Sequence, residues 1–140
     1  IAREKAREAV ESVHTARDMR TITWAQIRNV PAGGVFLDGA QILRSAGADG
    51  LVNTADDATT CVDRLTNSTC VETQRDPGPN GILGDGDDVL TPLAGFQRRI
   101  EISEMVPVNP ELRSLVVTIS YTVGSQRRSY TLRTFISAFS

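Results

Sequence analysis

The last third of the chain constrains the fold most, because its apolar residues recur at every second position in three successive runs. Such alternation predicts strands with one buried face. The alternating residues are Phe96, Ile100, Ile102, Val106 and Val108, then Leu115, Val117, Ile119, Tyr121 and Val123, then Tyr130, Leu132, Ile136 and Ala138. Residues 124–126 predict a tight hairpin between the second and third strands, and residues 107–110 a wider turn between the first two. We therefore expect a three-stranded antiparallel sheet within residues 96–139.

The start of the chain shows a different spacing, which is typical of an amphipathic helix. One stripe of small and apolar residues follows the three-and-four rule: Ala2, Ala6, Ala9, Val10, Val13, Ala16 and Met19. Pro31 disfavours helical geometry at Val30, so the predicted stem helix lies within residues 1–29. The apolar stripe is the natural cover for the apolar face of the sheet. The sequence thus predicts an α+β fold in a single domain, residues 1–140.

Residues 31–92, between helix and sheet, are rich in glycine and aspartate and are predicted to form a long loop region. Residues 47–90 hold nine acidic and two basic residues, a net charge of −7, although the whole chain carries only −2. Within this region one pattern occurs twice, at residues 49–57 and 80–88. Each copy has Asp or Asn, Gly, two aliphatic residues, two turn residues, a small residue and a pair of aspartates.

The repeated pattern suggests calcium, because hard cations bind six to eight oxygens from carboxylates, amides and main-chain carbonyls on a loop that can bend. We hypothesise one or two calcium ions. The candidate ligands are Asp49, Asn53, Asp56, Asp57, Asn80, Asp85, Asp87 and Asp88. The alternative is that glycine, asparagine and aspartate simply form turns here. The spacing differs from that of an EF-hand, and neither copy has the thiol or imidazole that zinc prefers.

Cys61 and Cys70 are the two cysteines of the chain and lie between the two acidic copies. A disulfide between them would close a short loop and would indicate an oxidising compartment. The alternatives are two unrelated thiols, or half of a zinc site completed by His14. We expect the disulfide.

Several classes of function are not expected from this sequence. The basic residues outside the acidic region form no stripe or cluster, so nucleic-acid binding is not expected. No apolar run approaches the length of a membrane span. The sequence contains no nucleophile motif, phosphate-binding glycine loop or dinucleotide fingerprint. Its single histidine, His14, fits a helix surface, so we do not expect an enzyme.

The chain resembles the type IV pilin and pseudopilin superfamily in three stretches. Residues 16–29, ARDMRTITWAQIRN, look like the end of a pilin stem helix. Residues 98–137 are similar to the sheet of minor pilins and pseudopilins of the PilV and GspI type. The matching residues are Arg98, Arg99, Leu115, Val117, Ile119, Tyr121, Gly124, Leu132 and Thr134. Residues 48–57, ADGLVNTADD, are similar to the calcium loop of major pseudopilins, with Asn53 in place of its second glycine.

This resemblance implies a structural subunit of an extracytoplasmic type IV pilus or type II secretion pseudopilus. Its partners would be other pilin or pseudopilin subunits. Contact with the membrane would be made only through a hydrophobic N-terminal half-helix, which this sequence does not contain. The expected location is the inner membrane before assembly, then a periplasmic pseudopilus or a cell-surface pilus. The alternative is a secreted calcium-dependent adhesion or binding module.

Overall fold

The structure is a computed structural model that describes residues 1–44, 50–55, 71, 73–82, 84, 86–87, 89–105 and 109–138. One α-helix, α1, spans Ala2–Asp18 and is followed by two 3-10 turns, Trp24–Gln26 and Val30–Ala32. The strands are β1 (Gln41–Ile42), β2 (Thr73–Asp76), β3 (Val89–Pro92), β4 (Gln97–Met105), β5 (Asn109–Val123) and β6 (Gln126–Ser137).

The main sheet has four antiparallel strands in the order β1-β4-β5-β6, and β2 and β3 form a separate two-stranded sheet. The long strands pair in order along the chain, with Ile100 opposite Val117 and Val117 opposite Leu132. Helix α1 packs on β5 and β6. The predicted strands within residues 96–139 are therefore present, and they are antiparallel and covered by the helix.

The predicted fold class, a helix and a sheet separated by one long Gly/Asp-rich calcium-binding loop region in the manner of a pilin, is wrong. Residues 31–92 contribute β1 to the main sheet and form the β2–β3 sheet. The sequence interpretation gave the composition of the region more weight than its short apolar runs. Backbone groups at the free edge of β4 need hydrogen-bond partners, and Gln41 and Ile42 supply them by pairing with Arg98 and Gln97. The broader α+β description remains correct.

The helix is shorter than the predicted stem within residues 1–29 because it is capped directly after Asp18. The backbone N–H of Met19 donates to the carbonyl of Thr15, and both the N–H and the hydroxyl of Thr21 donate to the carbonyl of Ala16. Arg20 between them adopts the left-handed conformation, with φ 57°. The Met19 bond is the last ordinary helical bond, whereas the two bonds from Thr21 use the Ala16 carbonyl that would accept from the N–H of Arg20 if the helix continued.

The core lies between one face of α1 and the inner face of the sheet. The buried helix residues are Ala2, Ala6, Ala9, Val13 and Ala16. They meet β-strand residues that include Ile100, Leu115, Val117, Ile119 and Ile136. The predicted stripe is confirmed at these five helix positions, whereas Val10 is half-buried and Met19 is 69% exposed. Met19 lies beyond the last helical turn, so it does not follow the helical stripe.

The two predicted turns of the sheet have different outcomes. Gly124 and Ser125 connect Val123 to Gln126, and Gly124 has φ 62°, which suits the tight hairpin expected there. By contrast, Asn109 and Pro110 belong to β5, and Asn109 pairs with Met105. Residues 109–110 of the predicted wider turn are therefore strand, and residues 106–108 lie outside the described residues. Proline is tolerated here because it stands at the beginning of the strand.

Candidate functional site

The second acidic copy lies in the loop that joins β2 to β3, and three described bonds fold this loop. The side-chain oxygen of Asn80 accepts a hydrogen bond from the N–H of Ile82 at 2.9 Å. The carboxylate of Asp87 accepts one from the N–H of Asn80 at 3.3 Å. The N–H of Gly81 donates to the carbonyl of Gly78 at 2.9 Å. Two predicted calcium ligands, Asn80 and Asp87, are thus brought together.

Gly78 allows this loop to close. A Cβ at this position would lie 1.9 Å from the carbonyl oxygen of Asp87, so only glycine fits the close approach of the two ends. Asn80 and Asp87 are both exposed. The loop therefore presents an amide and a carboxylate to solvent from a backbone that is held at its base.

Asn53, the predicted ligand of the first copy, occupies a different environment. It is buried, and its side chain makes two bonds to Arg98: its amide donates to the Arg98 carbonyl at 2.8 Å, and its oxygen accepts from Arg98 Nε at 2.9 Å. Its own carbonyl accepts from the N–H of Leu37 at 2.7 Å. Its φ of 60° lies in the left-handed region, which asparagine adopts more readily than most other residues with a side chain. Both oxygens of Asn53 thus accept hydrogen bonds from the protein.

The remaining predicted ligands, Asp49, Asp56, Asp57, Asp85 and Asp88, lie outside the described residues, as do Cys61 and Cys70. Among the residues that the structure describes, no group of three His, Cys, Asp or Glu side chains is arranged to hold a metal ion. Calcium and the disulfide therefore stay predictions.

Sequence reasoning missed a cluster of arginines beneath the two 3-10 turns. The guanidinium of Arg113 stacks on the Trp24 ring, 4.1 Å from its centroid. It also donates to the carbonyls of Trp24 and Ile27, the latter at 3.0 Å, and to Glu104 at 3.5 Å. Glu104 in turn accepts a bond from Arg28. Arg113 thereby ties the segment after α1 to the sheet.

The electrostatics of this cluster follow from its burial. Burial lowers the pKa of Arg113, the nearby positive charge of Arg28 lowers it further, and Glu104 opposes both effects. A buried guanidinium is stable only when it is hydrogen-bonded, which explains why main-chain carbonyls surround it. The other buried arginine of the main sheet, Arg98, follows the same rule with Asn53 and with the carbonyl of Arg44, at 3.3 Å.

The alternation of apolar residues along the strands already indicated that both arginines are buried. Arg98 has the same parity as Ile100 and Ile102, and Arg113 has the same parity as Leu115 and Val117. Strand geometry places residues of one parity on one face. The two arginines could therefore have been assigned to the inner face of the sheet from sequence.

A recess of about 630 Å³ lies beside this cluster, at the end of α1. Its lining includes Arg17, Arg20, Trp24 and Ala138. The guanidinium of Arg17 lies 5.8 Å from the centroid of the Trp24 ring and donates to the carbonyl of Ala138. Arg17 therefore joins the end of the helix to the residue that follows β6, and Asp18 lies in the same recess.

In the part of the chain that the structure describes, no helix has both the length and the apolar character needed to cross a membrane. Comparisons with protein-family models, with curated proteins and with solved structures give no match to this chain.

Proposed function

We propose that this domain is a structural subunit of an extracytoplasmic filament of the type IV pilus or type II secretion pseudopilus class. The observation that carries the proposal is the division of α1 into two faces. Small residues on one face are buried against the sheet, while Arg3, Glu4, Arg7, Glu8 and Glu11 on the other face are exposed. A subunit whose helix lines the filament core needs this second face free for neighbouring helices.

The exposed face has the chemistry of a helix contact between identical subunits. Its charges are of both signs, and Lys5 and Glu8 already form an ion pair at 3.1 Å within α1. Opposite charges on neighbouring helices can pair in the same way and set the register between subunits. Such exposed pairs contribute little free energy each, roughly 0–1 kcal/mol, so they favour specificity over spontaneous association.

Two measurements test the proposal. Sedimentation of the 140-residue domain at micromolar concentration should give a monomer, because the apolar stripe of α1 is already covered by the sheet. The complete gene product, carrying an epitope tag, should be recovered in the sheared or periplasmic filament fraction of cells that express it. Recovery only as free protein in the medium would contradict the proposal and favour a secreted binding module.

A charge reversal on the free helix face makes the second measurement specific. Arg7→Glu should lower the amount recovered in filaments several-fold without changing the stability of the isolated domain. Arg128→Glu is the matched control, since Arg128 is exposed, lies outside α1 and its substitution changes the net charge by the same amount and in the same direction. Equal loss for both variants would indicate a general charge effect and would remove the support for a helix interface.

A further inference from the structure

We propose that β6 is an acceptor edge, at which an extended segment of a partner protein that carries acidic side chains adds as a fifth strand to the main sheet. Strand β6 is the last in the order β1-β4-β5-β6 and is twelve residues long. Its pairing with β5 runs without a bulge from Val123↔Gln126 to Leu112↔Ser137. A long, regular edge is the structural requirement for binding by strand addition.

The tight hairpin determines which backbone groups face the open edge. Val123 and Gln126 flank a two-residue turn, so this pair exchanges both of its hydrogen bonds, and bonded pairs then recur at every second residue. Even-numbered residues of β6 therefore bond β5, and odd-numbered residues direct their N–H and C=O groups away from it. Between residues 127 and 135 these are Arg127, Ser129, Thr131, Arg133 and Phe135. No described backbone group outside the strands bonds to them.

At the opposite side of the main sheet, other segments cover the backbone of β4. This cover distinguishes that side from the edge at β6. Strand β1 pairs with Arg98 and Gln97 of β4. Beyond β1, the Asn29 amide donates to the carbonyl of Ile100 at 2.7 Å and its oxygen accepts from the N–H of Ile102 at 2.9 Å. An asparagine side chain thus takes the place of a strand there. Along β6, the structure shows no such cover within the described residues.

The charge of β6 indicates the chemistry of the partner. The strand contains three arginines and no acidic residue. Arg127 and Arg128 donate only to the amide oxygens of Gln97 and Gln126, and none of the three pairs with a carboxylate that the structure describes. Arg127 and Arg133 project on the outer face of the sheet, six residues apart. Acidic side chains opposite them would gain paired charges across strands.

The remaining side chains complete the recognition pattern. Between the two arginines, Ser129 and Thr131 are exposed on the outer face and suit small polar or β-branched neighbours. On the inner face, Tyr130 and Leu132 are half-buried and pack against the core. Apolar partner residues at the intervening positions would extend that core. The expected ligand segment therefore reads acid, apolar, Thr, apolar, Thr, apolar, acid.

The test uses the 140-residue domain and the synthetic peptide Glu-Val-Thr-Ile-Thr-Val-Glu, whose symmetric spacing fits β6 in either strand direction. Titration followed by nuclear magnetic resonance should shift the amide signals of the odd-numbered residues of β6 and protect them from hydrogen exchange. The even-numbered amides bond β5 already, so their protection should not change. A peptide with lysine in place of both glutamates is the charge control and should bind at least tenfold more weakly.

Two protein variants test whether the arginines of β6 determine which peptide binds. The double substitution Arg127→Glu and Arg133→Glu should reverse the preference between the two peptides, whereas Arg3→Glu on the exposed face of α1 should leave it unchanged. No shift at millimolar glutamate peptide, or shifts outside β6, would overturn the proposal. Protection of the odd-numbered amides that appears at high protein concentration without peptide would identify a second copy as the occupant, which also overturns it. The binding assay needs no filament, so its result is independent of the proposed function.

Discussion

At the residue scale, the most consequential pair is Asn53 and Arg98. Both are buried, and two hydrogen bonds of 2.8 and 2.9 Å join them between the segment after β1 and strand β4. The asparagine accepts a hydrogen bond from Nε of the guanidinium and also adopts a backbone conformation that most side chains avoid. The residue that the sequence pattern indicated as a metal ligand therefore has a defined structural role.

The role of Asn53 can be measured with a pair of substitutions. Asn53→Gly keeps the left-handed backbone accessible and removes only the amide, so it should cost about 1–3 kcal/mol of unfolding free energy. Asn53→Ala should cost about 1–2 kcal/mol more, because alanine is strained at positive φ. Denaturant unfolding in chelator and in calcium should give the same loss in both buffers. A loss that appears only with calcium would show that the amide serves a metal ion instead.

The predicted Cys61–Cys70 disulfide is also a matter of single residues. A bond between them would stabilise the fold by about 2–3 kcal/mol in the chain-entropy model, because closing the loop removes conformational entropy from the unfolded chain. Intact mass of the protein prepared under oxidising conditions should be lower by two hydrogens than the mass after reduction. Alkylation before reduction should add nothing, and two alkylated thiols would refute the bond.

At the element scale, the narrow stripe of α1 sets how closely the helix approaches the sheet. Four of its five buried residues are alanine, and the helix lies against both β5 and β6. Small side chains let two backbones come close, and the packed interior leaves no room for larger ones. The apolar face of the helix is therefore matched to its partner by size as well as by hydrophobicity.

A larger side chain in the stripe should separate the helix from the sheet. Ala9→Leu is expected to destabilise the domain by about 1–3 kcal/mol, since overpacking forces the neighbours to shift. Glu11→Leu is the matched control at an exposed position of the same helix and should change stability by less than about 0.5 kcal/mol. Chemical denaturation of both variants checks this, and equal stabilities would mean that the interface can repack.

At the scale of the whole molecule, charge is distributed unevenly. Residues 47–90 carry a net charge of −7, whereas the rest of the chain carries +5. Three of the arginines in that remainder lie on β6. The described part of the acidic region includes the exposed loop between β2 and β3. Like charges gathered in one region repel one another, so a bound cation there would stabilise the folded state.

Calcium should accordingly raise the melting temperature of the domain. At a concentration one hundred times Kd, mass action adds about 2.7 kcal/mol to the stability, which shifts Tm by on the order of 10 °C for a chain of this size. Asp87→Asn combined with Asp88→Asn should reduce the shift, whereas Asp38→Asn, outside both acidic copies, should retain it. Identical melting curves in millimolar calcium and in chelator would contradict the calcium hypothesis.

The sequence by itself determined the features that depend on local periodicity. The stripe of α1, the three long strands and the tight turn at Gly124 follow from spacings of three-and-four and of two, which act within a few residues. The positions of Arg98 and Arg113 in the alternating pattern also predicted that both side chains lie on the inner face of the sheet. Composition alone suggested one continuous loop for residues 31–92, and there it failed.

Only the tertiary structure decided which distant segments satisfy one another. Strand β1 and the side chain of Asn29 cover the edge of β4 because its backbone groups need partners, and no local pattern marks which residues will supply them. The same holds for Asn53, whose amide bonds an arginine forty-five positions away. The position of β6 at the edge of the main sheet is likewise a property of strand order. Long-range hydrogen bonding depends on the assembled fold, so it cannot be read from the spacing of residues along the chain.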